Sequence, residues 1–237
     1  MSSRREQKEA LRREREQREA EARAAAQRKR LFGVAGAVGI AAVAVVVLVV
    51  AAGGGGGSDP KSAGNNFPSG GSVSKQKVFD LSKAAAAAGC ELKSNPATSR
   101  EHLQDPDQKV NYPQNPPTSG KHFAVPAQDG LYNGAPPFDT ALVHAEEHGR
   151  VIIWAQPSLP VEARKQLRAL FEEDSYQMLV VRRPAMPYAV ATTAWSHDPT
   201  PNGTGRTMGC PAWNENVIDA IRSFRDEHRS DGPEDIP

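Results

Sequence analysis

The sequence contains very little cysteine and none of the short motifs that identify the common enzyme classes. Only Cys90 and Cys210 are present among 237 residues, and neither lies in a C-x-x-C pair, so a thioredoxin-like redox role has little support. The chain also has no Walker-type glycine loop, no G-x-S-x-G elbow and no dinucleotide fingerprint. A hydrolase of a familiar kind is therefore not indicated.

The part of the chain that can fold also lacks a basic excess. Residues 1–30 hold eleven of the 29 Lys and Arg residues, so the remainder is net acidic although the whole chain carries +1. A basic face is the electrostatic footprint of a nucleic-acid-binding domain, so we expect no nucleic-acid partner. Residues 1–30 are strong helix formers without an apolar stripe, which predicts a charged cytoplasmic helix or tail. Binding to anionic lipid is the alternative role for this segment.

A long uncharged run follows this charged segment. Residues 31–52 read LFGVAGAVGIAAVAVVVLVVAA, which is long enough for a helix to cross a hydrocarbon core of about 30 Å. The basic residues 28–30 stand directly before the run and none stands directly after it, so the N-terminus is predicted to be cytoplasmic. We therefore expect a single-pass protein of the cell membrane whose lipid partner contacts residues 31–52 and whose C-terminal domain lies outside. A cleaved signal peptide is the alternative interpretation.

The rest of the chain divides into a linker, a domain and a tail. Residues 53–75 begin with five glycines and predict a flexible linker, residues 76–230 predict an extracytoplasmic domain, and residues 231–237 predict a disordered tail. Within the domain, residues 94–140 are rich in proline and show little periodicity. A structureless stretch of this length is uncommon unless it is functional or well packed.

The periodicity within the domain predicts an α+β fold with a small mixed sheet and packed helices. Apolar runs predict strands at 78–81, 151–154, 178–181 and 188–195, and amphipathic spacing predicts helices at 84–88, 141–148, from 160 to about 171, and 214–228. A glycine-rich turn is expected before Cys210. The strand, helix and strand at 151–181 are compatible with a parallel crossover, although the sequence alone does not decide strand direction.

The two cysteines are predicted to pair if the domain lies in an oxidising compartment. A Cys90–Cys210 bridge would close a loop of about 120 residues and would stabilise the fold by about 4–5 kcal/mol in the chain-entropy model. Free thiols and metal ligation are the alternatives.

Three histidines form the candidate site. His144 and His148 lie four residues apart, which places them on one face of a helix, and His122 ends the proline-rich string N-P-P-T-S-G-K-H. Three imidazoles with an open coordination position suit copper or zinc. Glu146 or Glu147 can act as a metal ligand, as a hydrogen-bond partner that orients a ligating histidine, or as a base. The motif is not H-E-x-x-H, so a metalloprotease is not indicated. The alternative is that His144 packs in the core and His148 bonds to backbone near Gly149. The other histidines, His102, His197 and His228, are expected at the surface.

Three stretches of this sequence together resemble the domain-of-unknown-function 3105 family. They are YPQNPPTSGKH at 112–122, LVHAEEHGRVII at 142–153 and TAW at 193–195. The resemblance extends over about residues 75–228 and implies a bacterial or archaeal protein with one N-terminal membrane segment and an extracytoplasmic domain. It brings no established activity. The histidine pattern of the family matches His122, His144 and His148.

Three functional hypotheses follow from these observations. The first is a membrane-anchored extracytoplasmic domain that binds copper or zinc through the three histidines, for binding or delivery. The second is a non-catalytic module that binds a cell-envelope protein partner and whose histidines are structural. The third is a metal-dependent enzyme with Glu146 or Glu147 as its base.

Overall fold

The computed structural model describes residues 66–105 and 108–234, all within a compact unit that runs from Ser58 to Pro237. In chain order, the secondary-structure elements of this part are α1 (Leu81–Ala88), β1 (Glu91–Pro96), β2 (His102–Leu103), β3 (His122–Phe123), β4 (Gly130–Leu131), α2 (Asp139–Glu147), β5 (Val151–Ala155), α3 (Val161–Glu173), β6 (Met178–Arg182), β7 (Val190–Ser196), β8 (Thr204–Cys210) and α4 (Val217–His228).

Six of the strands form one mixed sheet, which confirms the α+β prediction. The order across this sheet is β1-β8-β7-β5-β6-β4. The pairs β1–β8, β8–β7 and β7–β5 are antiparallel, whereas β5–β6 and β6–β4 are parallel. The unit β5-α3-β6 is therefore the parallel crossover with which the sequence is compatible. The remaining strands, β2 and β3, pair in parallel as a separate two-stranded ribbon.

The large sheet has an apolar core on each face because the side chains of its buried strands alternate between the two faces. In β5, Val151 and Ile153 join the larger core, whereas Ile152 and Trp154 join the other. The helices α1, α3 and α4 contribute to the larger core. The second core receives Leu142 from α2, so α2 lies on the opposite face of the sheet from the other three helices.

Two elements near the start of the domain differ from the prediction. Residues 78–81 are not a strand, because Asp80 caps helix α1 by accepting a hydrogen bond from the Lys83 backbone N–H. The first strand of the sheet instead lies at Glu91–Pro96, directly after the glycine that ends the helix. In α3, the apolar residue Val161 is exposed at the first position of the helix, although the apolar spacing of this helix places such residues on its inner face.

The predicted glycine-rich turn before Cys210 is shorter than expected, because residues 200–202 form a turn that ends at Gly203. Residues 204–210 form β8, a strand between β1 and β7. Its two glycines are required by packing, because a Cβ at Gly209 would lie 2.3 Å from the Tyr188 ring and a Cβ at Gly205 would lie 2.1 Å from Thr118 Oγ1. The glycines therefore allow other side chains to lie directly on the strand.

Cys90 and Cys210 form the predicted disulfide, with their Cα atoms 4.2 Å apart. Cys90 precedes β1 and Cys210 ends β8, so the bond lies at one end of the β1–β8 pair and ties residues 120 positions apart. It fixes the first strand of the domain to the strand that leads into the last helix.

The packed part of the chain extends beyond residues 76–230 at both ends. Phe67 is 0% exposed in the larger core, and residue 234 donates a backbone hydrogen bond to the carbonyl of Glu147. Among the described residues, no helix is both long and apolar enough to cross a membrane. The charged segment at 1–30 and the apolar run at 31–52 lie outside the described residues.

Candidate metal centre

The short ribbon of β2 and β3 places two histidines side by side. The parallel register pairs His102 with His122, and paired residues project their side chains from the same face. Their ring centroids lie 4.5 Å apart. His122 is fully buried, whereas the side chain of His102 is 39% exposed. The ribbon therefore presents one interior and one rim imidazole to the same space.

The string N-P-P-T-S-G holds His122 in place. Gly120 has φ +121°, a conformation that favours glycine, and its carbonyl accepts a hydrogen bond from His122 Nδ1 at 2.7 Å. Upstream in the same loop, Thr118 rests on β8 at Gly205. The turn predicted for this string thus serves to orient one imidazole.

Helix α2 supplies the other side of the site. His144 and Glu147 lie three positions apart, so they share a helix face, and that face meets β3. The His144 ring lies 4.7 Å from both His102 and His122, measured between centroids. One ligand atom from each of His102, His122, His144 and Glu147 lies within 4.8 Å of the others. We call these four residues the inner group.

The hydrogen bonds of the inner group leave imidazole Nε2 atoms turned toward one another. His144 Nδ1 lies 2.6 Å from the Phe123 carbonyl. A carbonyl oxygen only accepts, so both this Nδ1 and the Nδ1 of His122 must carry a proton. In a neutral imidazole, the Nε2 lone pair then remains for another partner. His102 Nε2 lies 3.4 Å from His144 Nε2, close to the separation of about 3.4 Å between ligands of a tetrahedral ion with bonds near 2.1 Å.

Two buried atoms of the inner group lack a hydrogen-bond partner among the described residues. They are His122 Nε2 and Glu147 Oε2. The two atoms lie 2.9 Å apart, but they are not aligned as a donor and an acceptor. A buried polar atom without a hydrogen-bond partner is costly, and a cation bound to both atoms would satisfy them. The inner group therefore fits a metal ion.

Charge distribution in the inner group favours an anionic Glu147 and a neutral His144. Burial raises the pKa of the Glu147 carboxyl, but contacts with His122 and Arg100 outweigh it and lower the pKa to about 2. Burial lowers the pKa of His144 to about 4, although its bond to the Phe123 carbonyl acts in the opposite direction. At neutral pH the group thus contains a carboxylate and at least one neutral imidazole, which are the forms that bind metal ions.

His148 lies beside the inner group, in a second cluster. It is the C-cap residue of α2, and its Nε2 lies 3.0 Å from His144 Nε2 and 3.1 Å from Glu234 Oε2. His144, His148 and Glu234 again place one ligand atom each within 4.8 Å of the others, and we call them the outer group. The structure thus brings His122 and His144 together as predicted, but it places His148 on the other side of His144.

Glu146 points away from both groups. Its carboxyl is fully buried beside Thr193 of β7, and neither oxygen has a hydrogen-bond partner in the described structure. Burial raises the pKa of Glu146 well above its ordinary value, although the contact with Thr193 acts in the opposite direction. Of the two candidate carboxylates, only Glu147 reaches the inner group.

The sequence prediction missed His102 and Glu234. His102 was expected at the surface, but it lines the inner group because β2 pairs with β3. Glu234 is 86 positions from His148 and arrives through the C-terminal segment. His228 was also expected at the surface and is buried against Phe224, whereas His197 is exposed as predicted. The residues around His102, R-E-H-L-Q, show no alternation of polar and apolar side chains that would have marked this short strand.

A family model matches residues 103–235, which is more than half of the chain and includes every residue of the two groups except His102. Its description is protein of unknown function (DUF3105). The chain belongs to the DUF3105 family. The resemblance seen in the sequence is thereby confirmed. No curated protein and no solved structure matches this DUF3105 chain.

Proposed function

We propose that this DUF3105 protein is a membrane-anchored extracytoplasmic domain that binds one transition metal ion, copper or zinc. The inner group, His102, His122, His144 and Glu147, would hold the ion. The observation that carries this proposal is the convergence of four ligand atoms, one each from His102, His122, His144 and Glu147, which all lie within 4.8 Å of one another.

The surroundings of these residues support a metal site. In metal sites, a ligating histidine usually donates its second ring N–H to a carbonyl or carboxylate, which fixes the ring and its tautomer. His122 and His144 both do so, to Gly120 and Phe123. Glu147 is held by a hydrogen bond from Arg100 Nε to its other oxygen. The ligand atoms are therefore oriented before any ion binds.

The ligand set favours storage or delivery over catalysis. Catalytic zinc sites usually combine three protein ligands with an open position for water or substrate, whereas four protein ligands make a closed tetrahedral site. The inner group supplies three nitrogens and one oxygen. Imidazole ligands suit zinc and copper, and a single carboxylate is compatible with both.

The proposed location has two sources of support. The disulfide between Cys90 and Cys210 is typical of proteins that reside in an oxidising compartment. The uncharged run at 31–52, with basic residues before it, is typical of a single membrane span with a cytoplasmic N-terminus. A reporter enzyme that functions only outside the cytoplasm should be active when it is fused after Pro237. If that fusion is inactive and a reporter that functions only in the cytoplasm is active at the same position, the proposed location is refuted.

The metal proposal is tested by stoichiometry. The full-length chain, purified in detergent, is dialysed against Zn²⁺ or Cu²⁺, and bound metal is measured by mass spectrometry. We expect about one ion per chain for the wild type and for the control His197→Ala, whose side chain is 50% exposed and bonded to Asp231. We expect His122→Ala and His144→Ala to lose most of the tightly bound metal. Binding equal to wild type in both variants would refute the proposal.

A further inference from the structure

The inner and outer groups share one residue, His144. Its Nε2 lies 3.4 Å from His102 Nε2 on one side and 3.0 Å from His148 Nε2 on the other. Since ligand bonds to zinc are about 2 Å long, an ion bound to His144 is within reach of either group.

His144 cannot serve two ions at once. An imidazole bridges two metals only when both ring nitrogens bind, and Nδ1 of His144 is already engaged as a donor to the Phe123 carbonyl at 2.6 Å. The single lone pair on Nε2 can enter one coordination bond at a time. An ion that uses His144 as a ligand therefore occupies one group or the other at a given time.

The outer group is built into the fold by the C-terminal segment. This segment lies against the end of α2, where Ser230 donates its backbone N–H to the Gly149 carbonyl at 2.9 Å and Glu234 donates its own to the Glu147 carbonyl at 3.1 Å. Glycine is required on both sides of the contact. A Cβ at Gly232 would lie 2.2 Å from the Glu147 carbonyl oxygen, and a Cβ at Gly149 would lie 2.8 Å from Ser230 Cα. Glu234 is thus held beside His148.

Exposure and charge differ between the two groups. Glu234, the carboxylate of the outer group, is 33% exposed, whereas Glu147, the carboxylate of the inner group, is 0% exposed. The exposed member of the inner group is His102, at 39%, and the neighbouring cation Arg100 is paired with Glu147. The outer group instead presents the Glu234 carboxylate at its rim, and its neighbouring cation, Arg150, is paired with Asp129. An ion arriving from solvent therefore meets a carboxylate ligand at the rim of the outer group, whereas the rim of the inner group offers an imidazole.

We propose that the outer group, His144, His148 and Glu234, is the entry position of the site, and that the ion passes from it to the inner group by ligand exchange about His144. The proposal rests on the function proposed above. During the exchange the bond to His144 Nε2 is kept. Bonds from His148 and Glu234 break, and bonds from His102, His122 and Glu147 form. Each ligand keeps its own electron pair, and the charge of the ion does not change.

The test compares loading rates with equilibrium binding. Zn²⁺ is mixed with the metal-free full-length chain, and uptake is followed by competition with a colorimetric chelator; bound zinc is then measured at equilibrium. Glu234→Gln removes the charge of the outer group with little change of shape. Glu162→Gln is the matched control, because Glu162 is an exposed carboxylate on α3 whose ion pair is with Lys165.

We expect Glu234→Gln to bind one ion per chain, as wild type does, but to load at least about tenfold more slowly, in line with the effect of a local field on association. Glu162→Gln should load at the wild-type rate. His148→Ala, which removes the other outer ligand, should also load slowly. Circular dichroism of each variant shows whether its fold is intact.

Two results would overturn the entry role while leaving the proposed function standing. One is loading of both Glu234→Gln and His148→Ala at the wild-type rate. The other is tight binding of two ions per wild-type chain, which would show that the outer group is a separate site and not an entry position for the inner group. A wild-type chain that binds no zinc or copper would instead refute the proposed function itself.

Discussion

At the scale of single residues, neighbouring side chains on α2 have opposite environments. Glu147 faces the three imidazoles and Arg100, whereas Glu146 faces Thr193 in the interior. The difference arises because residues 144 and 147 share a helix face and residue 146 does not. Two adjacent glutamates are thus a matched pair for testing which one binds metal.

We expect Glu147→Gln to weaken metal binding and Glu146→Gln to leave it nearly unchanged. Glu147→Gln removes the anionic ligand, so the apparent Kd for Zn²⁺ should rise by on the order of tenfold or more. Glu146, whose pKa burial raises well above its ordinary value, is replaced by an uncharged side chain of the same shape. Calorimetric titration of both variants measures the difference. Equal affinities would place Glu147 outside the site.

His228 should make the fold sensitive to mild acid. Its surroundings are the Phe224 ring, Arg206, Asp231 and Glu227, and burial lowers its pKa to about 4. An unfolded histidine has a pKa of about 6.5, so between these values the unfolded state binds more protons. The stabilisation is thus present above pH 6.5 and is lost as the pH falls toward 4.

The size of this effect is measured by urea unfolding of the metal-free chain. Between pH 7.5 and 5, wild type should lose about 2 kcal/mol more stability than His228→Gln. His144 and His148 titrate in both proteins, so their contributions cancel in the comparison. The same loss in both proteins would contradict the assignment to His228.

At the scale of elements, the end of α2 is a junction between the helix, strand β5 and the C-terminal segment. Gly149 makes the junction possible because it has φ +78° and because Ser230 passes close to it. The glycine of the E-H-G string therefore has a structural role that is separate from metal binding. It allows the segment that carries Glu234 to reach His148.

We expect Gly149→Ala to destabilise the fold by about 1–3 kcal/mol, since it adds a Cβ at a strained φ and 2.8 Å from Ser230 Cα. Gly134→Ala is the control, because Gly134 lacks a positive φ and a Cβ there would meet nothing within 4 Å. Chemical unfolding measures both variants. A Gly149→Ala variant as stable as Gly134→Ala would contradict the close packing of the C-terminal segment.

Local signals in the sequence predicted some elements and missed others. Helix α2 and strand β5 were predicted because their apolar pattern is local and a glycine separates them. Strand β8 was missed because TGRTMGC lacks an apolar alternation, and its strand conformation follows from β1 and β7 on its two sides. His102 and Glu234 were missed for a similar reason. His102 reaches the inner group because β2 pairs with β3, and Glu234 reaches the outer group because the C-terminal segment packs against the end of α2.

At the scale of the whole molecule, one covalent bond ties the two ends of the domain. The Cys90–Cys210 disulfide joins the start of β1 to the end of β8 across 120 residues. The bond closes a long loop and so reduces the conformational entropy of the unfolded chain. The metal centre is connected to the same sheet because Thr118, in the loop that leads to His122, packs against Gly205 of β8. The global stability of the domain and the order of the metal centre are therefore coupled.

Removing this disulfide should lower the free energy of unfolding by about 4–5 kcal/mol, as the loop-entropy model gives for a loop of this length. The measurement is urea unfolding of wild type with and without reductant. The double variant Cys90→Ser/Cys210→Ser is the control, and its stability should not respond to reductant. An equal response in both proteins would show that reductant acts elsewhere.

The central claim is that three imidazoles and one carboxylate hold one ion. X-ray absorption spectroscopy of the full-length chain, loaded with one equivalent of Zn²⁺, tests it most directly. The inner group predicts a shell of three imidazole nitrogens and one carboxylate oxygen at about 2.0–2.1 Å, and a loss of imidazole scattering in His122→Ala. A shell of water oxygens without imidazole, or a spectrum unchanged in His122→Ala, would contradict the claim.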